Sequence, residues 1–170
     1  MHAQLASDAV IRVQARTVHE QYRGPGLPGT RVQRQEPRAV RGFEVQRVAA
    51  GARLLEDKGF KRYAIVSHAM GSGMAYEFLK RSPHAPITAW AALSFYGNFP
   101  DIARRSFPVL DIYGRNDYRG IRGAATERRA VLDTIPGSRQ LAAQQGGRFL
   151  AGAESTVLKE VADFLDAVPR

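Results

Sequence analysis

The stretch Tyr63–Lys80 constrains the fold more than any other part of this 170-residue sequence. A short run with β-branched residues, Tyr63–Val66, leads into small residues around Ala69 and Gly71–Gly73. A helical apolar pattern follows without a linker, at Met70, Met74, Ala75, Phe78 and Leu79. We predict a strand, a sharp turn and a helix in immediate succession. Such a turn can expose a catalytic nucleophile, yet Ala69 at its tip carries only a methyl group.

From residue 42 onward, predicted helices and strands alternate. Apolar residues at helical spacing, followed by Gly59 at the C-terminal end, predict a helix over Gly42–Lys58. The mostly apolar run Ile87–Phe95 is typical of a strand buried on both faces of a parallel sheet. The other predicted elements are a loop or short lid at Tyr96–Ser106, strands at Phe107–Tyr113 and Ser138–Ala143, a helix at Ile121–Thr134, and a C-terminal helix capped by Ser155 or Thr156. This order predicts an α/β fold in which helices sandwich a mainly parallel sheet.

Residues 1–41 give a weaker pattern. Val10–Val13 and Thr17–Tyr22 are each consistent with a short strand, whereas the prolines and glycines of Arg23–Gly29 predict a turn or loop. The arginine-rich stretch Arg31–Arg41 has little apolar content and predicts a solvated loop. We therefore expect an irregular basic N-terminal segment, 1–41, and one α/β domain, 42–170.

The composition argues against several kinds of site. The chain has no cysteine, which excludes disulfides, thiolate metal sites and cysteine nucleophiles. Its four histidines are scattered without metal-binding spacing, so we expect no metal and no other cofactor. No apolar run reaches the length of a membrane span, and the N-terminus lacks the pattern of a secretory signal. We expect a cytoplasmic protein, or a periplasmic one if the N-terminus is truncated or processed.

The formal net charge of +9 is compatible with an anionic partner, and equally with a general arginine bias. The arginines are spread along the chain without interleaved aromatic residues, and no helix-turn-helix pattern is present. Nucleic acid is therefore not the partner that we expect. The charge nevertheless keeps a basic anion- or nucleic-acid-associating domain among the alternatives.

Four segments together resemble the C-terminal two-thirds of an α/β hydrolase. They are Ile65–Gly71 with its following helix, Phe107–Asp117, Gln145–Phe149 and Val157–Leu165. Their order and spacing are similar to those of the family over residues 42–168, and more narrowly to an uncharacterised bacterial branch. The resemblance implies a parallel sheet with helices on both faces, reduced at its N-terminus.

The resemblance also assigns positions to a catalytic triad. The family's Gly-x-Ser-x-Gly turn, called the nucleophile elbow, corresponds to Ser67–Gly71 with Ala69 in the nucleophile position. Asp117 matches the acid, and Arg148 stands at the base position. A guanidinium stays protonated and cannot accept a proton from a nucleophile. The backbone N–H of Met70 would be one donor of the oxyanion hole.

Three functions remain open from the sequence. The first is a non-catalytic binding or scaffolding protein whose cleft holds a small ester-like or acyl ligand. The second is an atypical hydrolase of ester or acyl substrates with a displaced nucleophile, Ser67 or Ser72, near His68 and Asp117. The third is the basic anion-associating domain.

The sequence positions of two carboxylates predict ion pairs. Asp111 lies in the middle of a predicted strand, where a charge is costly unless it is paired. We expect it to pair with an arginine such as Arg139 of the neighbouring strand, or to lie at a sheet edge. We also expect Asp117 and Arg148 to form an ion pair across the cleft.

Overall fold

The structure is a computed structural model that describes residues 9–14 and 38–169. These residues form a five-stranded sheet in which all neighbouring strands are parallel. The strands lie in chain order: β1 (Ala9–Gln14), β2 (Tyr63–His68), β3 (Ile87–Leu93), β4 (Val109–Gly114) and β5 (Arg139–Ala143). The predicted parallel sheet is confirmed. The carboxyl ends of its strands share one edge, which is where open α/β sheets bind ligands.

Helices cover both faces of this sheet, as predicted. They are α1 (Arg38–Asp57), α2 (Met70–Arg81), α3 (Arg119–Gly123), α4 (Ala125–Leu132) and α5 (Glu154–Asp166), with a 3-10 turn at Ile102–Arg104. One apolar cluster packs α1 and α2 on one face through Val48, Phe78 and Trp90. A second packs α5 on the other face through Ile112 and Phe164. None of the helices in the described part of the chain combines the length and hydropathy that a bilayer crossing requires.

The first helix begins earlier than its pattern predicts. It starts at Arg38 rather than Gly42, so Arg38–Arg41 are helical and the predicted solvated loop is wrong there. Pro37 could have signalled this start, because proline favours the beginning of a helix. The expected division after residue 41 thus falls inside α1. The predicted strand Val10–Val13 lies within β1, which pairs with β2 in the same sheet.

The remaining predictions for residues 15–37 lie outside the described residues. They concern the strand Thr17–Tyr22, the loop Arg23–Gly29 and the part of the predicted solvated loop that precedes Arg38. The expectation of a distinct basic N-terminal segment stays a prediction.

Two further differences lie in the second half of the chain. The predicted helix Ile121–Thr134 is divided into α3 and α4 after Gly123, because glycine weakens a helix interior. Neither Ser155 nor Thr156 caps α5, which begins at Glu154 without a side-chain cap hydrogen bond. The predicted cap was wrong. Glu154 in the first turn instead complements the helix dipole.

Asp111 is fully buried in β4, and its partner is Arg128 of α4, not Arg139. The register pairs Asp111 with Gln140 of β5. Side chains alternate along a strand, so Gln140 shares the face of Asp111 and Arg139 lies on the other. Gln140 Nε2 donates to Asp111 Oδ2 at 2.8 Å, whereas Arg139 pairs with Glu160 at 3.3 Å. The expectation of a paired carboxylate holds, and the named partner was wrong.

Candidate functional site at the carboxyl edge of the sheet

The turn between β2 and α2 has the strained backbone expected of an elbow. Ala69 has φ 52° and ψ −115°, a conformation that non-glycine residues rarely adopt. Its N–H donates to the Leu93 carbonyl at 2.8 Å, and its carbonyl accepts from Ser72 N–H at 3.1 Å. Because α2 begins at Met70, the N–H groups of Met70 and Gly71 have no acceptor within the helix. The tip of this turn therefore presents a methyl group beside backbone donors.

The two serines that flank the tip are engaged in the core. Trp90 Nε1 donates to Ser67 Oγ at 2.8 Å. Ser67 Oγ in turn lies 3.2 Å from Ser72 Oγ, which donates to the Leu93 carbonyl at 3.1 Å. Ser67 and Ser72 are 1% and 0% exposed. Their hydroxyls are therefore fixed as structural hydrogen-bonding groups beneath the elbow.

The loops that carry Asp117 and Arg148 meet beside the elbow. Asn116 N–H donates to the Gly146 carbonyl at 3.3 Å. A Cβ at Gly114 would collide with that same carbonyl, so only glycine permits this approach. His68 Nε2 lies 2.7 Å from the Arg148 carbonyl oxygen. The nucleophile, acid and base positions implied by the resemblance thus lie in three neighbouring segments.

Asp117 and Arg148 nevertheless do not form the predicted ion pair. Asp117 Oδ1 accepts from Tyr118 N–H at 2.8 Å. Its Oδ2 is buried and has no hydrogen-bond partner among the described residues. The Arg148 guanidinium instead lies over the Tyr118 ring, 5.2 Å from its centroid. A weakly hydrated guanidinium stacks well on an aromatic face, so the aromatic neighbour competes with the carboxylate.

His68 lies on the opposite side of the sheet from Ser67, because the two are consecutive strand residues. A carbonyl can only accept, so His68 Nε2 carries a proton and donates it to Arg148 O. The imidazole also packs near Phe149, with ring centroids 6.1 Å apart. His68 therefore links the elbow to the loop of Arg148, through the backbone.

A cavity of about 750 Å³ opens beside the elbow on the face covered by α1 and α2. Apolar lining comes from Val45, Met70, Met74, Phe95 and Ile121, and polar lining comes from Ser94, Asn98 and Arg148. Its size lies within the range of small-molecule sites. Ala69 also lines it, whereas His68 and Asp117 do not. No group of three metal-binding side chains occurs in the part of the chain that the structure describes.

Ser94 is a site residue that the sequence analysis missed. The register pairs His68 with Leu93, so Ala69 and Ser94 follow directly at the ends of adjacent strands. Ser94 also has a positive φ, 50°, and its N–H donates to the Ile112 carbonyl at 2.7 Å. The predicted strand Ile87–Phe95 included Ser94, whereas β3 ends at Leu93 and leaves Ser94 in the same strand-end position as Ala69.

Comparison with solved structures finds α/β hydrolases. A predicted CIB-like hydrolase from Thermoplasma acidophilum has a TM-score of 0.58 and 19% identity, covering 74% of this chain and 59% of that chain. Carboxylesterase CesB from Bacillus subtilis has a TM-score of 0.55 and 14% identity, covering 74% of this chain and 66% of that one. Mouse alpha/beta hydrolase domain-containing protein 10 has a TM-score of 0.55 and 12% identity, covering 74% of this chain and 69% of that protein.

The chain has the α/β-hydrolase fold, and the resemblance predicted from the sequence is confirmed at the level of the fold. It spans less than two thirds of the first two of these structures, 59% and 66% of their lengths. No family model matches the sequence, and no curated protein matches it either. Placement in an uncharacterised bacterial branch stays a prediction.

Proposed function

We propose that this protein is a non-catalytic binding protein that uses the cleft of an α/β-hydrolase fold. The observation that carries the proposal is Ala69, which holds the strained elbow geometry with no nucleophilic atom. Strain of this kind costs on the order of 1–3 kcal/mol and is retained where the surrounding structure imposes it. Here it places the start of α2, with Met70, at the edge of a cavity that has both apolar and charged lining, and this arrangement serves binding as well as catalysis.

The surroundings of the elbow support the same proposal. Arg148, in the base position, cannot accept a proton at neutral pH. His68, the alternative base, has its Nε2 donating to a backbone carbonyl and does not line the cavity. Nucleophile and base act as a unit, so Asp117 alone would supply little catalysis.

A fluorophosphonate probe tests the proposal, because it labels activated serines. We expect no labelling of the wild-type protein and no turnover of nitrophenyl esters above background. Labelling at Ser67, Ser72 or Ser94, or ester hydrolysis that is lost in His68→Ala, would overturn the proposal in favour of an atypical hydrolase.

A rebuilt site provides the matched positive control. The double variant Ala69→Ser/Arg148→His restores the two missing groups next to Asp117, whose Oδ2 is buried and unpartnered in the described structure. We expect labelling at position 69 in the double variant and much weaker labelling with Ala69→Ser alone. Equal labelling of the single and double variants would mean that position 148 does not serve as the base position.

A further inference from the structure

The cavity beside the elbow is lined by a buried serine whose hydroxyl has no hydrogen-bond partner within the described part of the chain. Ser94 is 1% exposed, and among the described residues its Oγ has no hydrogen-bond partner. A buried polar group left unpaired costs about 1–3 kcal/mol. Because Ser94 lines the cavity, a ligand there is a suitable partner for this hydroxyl.

The start of α2 adds backbone donors to the same place. Met70 lines the cavity, and its N–H and that of Gly71 lie in the first turn of this 12-residue helix. These groups carry the partial positive charge of the helix dipole, which favours an anion. Ala69 and Ser94 directly follow the paired residues His68 and Leu93, so the start of α2 and Ser94 lie at the same end of two adjacent strands.

Arg148 adds a full positive charge. It lines the cavity, and within the described residues its contact is with the Tyr118 ring and not with a carboxylate. On the α2 side, the lining carboxylates of Glu77 and Asp101 are matched by two cations: Lys80 Nζ lies 3.5 Å from Glu77 and 3.8 Å from Asp101, and Arg81, which does not line the cavity, lies 3.8 Å from Glu77. Among the described residues, the Arg148 guanidinium next to the elbow is therefore the charged lining group without a salt-bridge partner.

We propose that the cavity binds a monocarboxylic acid with an apolar chain. The carboxylate accepts hydrogen bonds from the Met70 amide, Ser94 Oγ and the Arg148 guanidinium, whose planar fork matches two carboxylate oxygens. The chain lies against the apolar lining near Met74 and Phe95. This inference rests on the proposed binding function and names its ligand class.

Three probe ligands distinguish the contribution of the carboxylate to binding from that of the apolar chain. Octanoate supplies both parts of the ligand, 1-octanol lacks the charge, and inorganic phosphate lacks the chain. Trp90 is the sole tryptophan and lies 5.8 Å from Phe95, ring centroid to ring centroid, so its fluorescence reports on occupancy. Calorimetry gives the affinities. We expect octanoate to bind at least about tenfold more tightly than octanol, because the charged hydrogen bonds are lost with the alcohol.

Two variants test the assigned residues. Arg148→Met keeps the backbone carbonyl that His68 contacts, and we expect it to weaken octanoate binding about tenfold or more. Ser94→Ala is expected to weaken it about fivefold. Arg129→Met removes an exposed charge that pairs with Asp133, and should leave the affinity unchanged.

Several outcomes would overturn the inference: absence of octanoate binding, equal affinity for octanol, equal affinity for phosphate, or octanoate affinities unchanged in both Arg148→Met and Ser94→Ala. These failures are distinct from failure of the proposed function, which would appear as covalent labelling or ester turnover. If the protein is neither labelled by the fluorophosphonate probe nor binds octanoate, the non-catalytic proposal stands and a carboxylic acid ligand is ruled out.

Discussion

Arg128 and Asp111 form an ion pair in which both side chains are fully buried, with Arg128 Nε 2.7 Å from Asp111 Oδ2. The same guanidinium donates through Nη1 to the carbonyls of Gly97 and Ile121, at 3.2 and 3.0 Å. Gly97 and Ile121 line the cavity. The pair therefore joins the central sheet to two walls of the candidate site, and it should control both stability and the shape of the cavity.

Replacing one partner of this pair should destabilise the protein strongly. We expect Arg128→Met to lower the free energy of unfolding by about 3–5 kcal/mol, because the Asp111 carboxylate is left buried without its counter-charge. Urea denaturation followed by Trp90 fluorescence measures the change.

Two further variants make this test specific. In Asp111→Leu/Arg128→Met both charges are removed, and much of the lost stability should return, since an apolar pair can replace a buried ion pair. Arg129→Met removes the exposed neighbour, whose side chain is 58% exposed, and should change stability by less than about 0.5 kcal/mol. A double variant less stable than Arg128→Met would contradict the account.

The sequence predicted the elbow well because that signal is local. Strand, turn and helix between Tyr63 and Lys80 follow from short-range spacing, and so does the tip at Ala69. The partner of Asp111 could not be predicted in the same way. A buried carboxylate indicates that some arginine is near, but Arg128 lies 17 residues away on a helix, and only the packing of that helix selects it.

The site was predicted less completely than the fold. The resemblance to α/β hydrolases implied the positions of Asp117 and Arg148, but it did not give the directions of their side chains. Tyr118, next to Asp117, offers Arg148 an aromatic face, which no spacing rule indicates. Ser94 was missed because its role depends on the pairing register of β2 with β3, a contact between residues distant in sequence.

The positive φ of Ala69 predicts a stabilising substitution. Ala69→Gly removes the Cβ that makes φ 52° unfavourable, and we expect the free energy of unfolding to rise by about 1 kcal/mol. Ala162, an exposed residue inside α5, is the matched control. Ala162→Gly should lower stability by about 1 kcal/mol. If both changes lowered stability by similar amounts, the strain at Ala69 would be refuted.

The hydrogen bond between Trp90 and Ser67 gives a prediction with two readouts. Ser67→Ala leaves Trp90 Nε1–H buried without its acceptor, and the free energy of unfolding should fall by about 1–3 kcal/mol. The emission of the sole tryptophan should change in the folded state as well. Ser106→Ala, at an exposed position, should alter neither quantity. An unchanged emission spectrum in Ser67→Ala would show that the hydrogen bond is not formed.

The raised pKa of Tyr76 predicts that the free energy of unfolding falls at alkaline pH. Burial, assisted by the Asp101 carboxylate that accepts the phenol hydrogen bond at 3.1 Å, raises the pKa of Tyr76 from 10.0 to about 12. Above pH 10 the unfolded chain loses this proton while the folded protein keeps it, so stability falls as pH rises between 10 and about 12.

The variant Tyr76→Phe isolates this contribution. It cannot ionise at position 76, so its free energy of unfolding should decline less steeply with pH than that of the wild type. Tyr118→Phe is the control for the removal of an exposed phenol, because Tyr118 is 56% exposed. Urea denaturation at pH 9, 10 and 11 measures all three slopes.

The Asp101 contact is tested in the same series. Asp101→Asn removes the charge that favours the neutral phenol, and should leave a slope between those of wild type and Tyr76→Phe. A Tyr76→Phe slope equal to the wild-type slope would contradict a raised pKa at Tyr76.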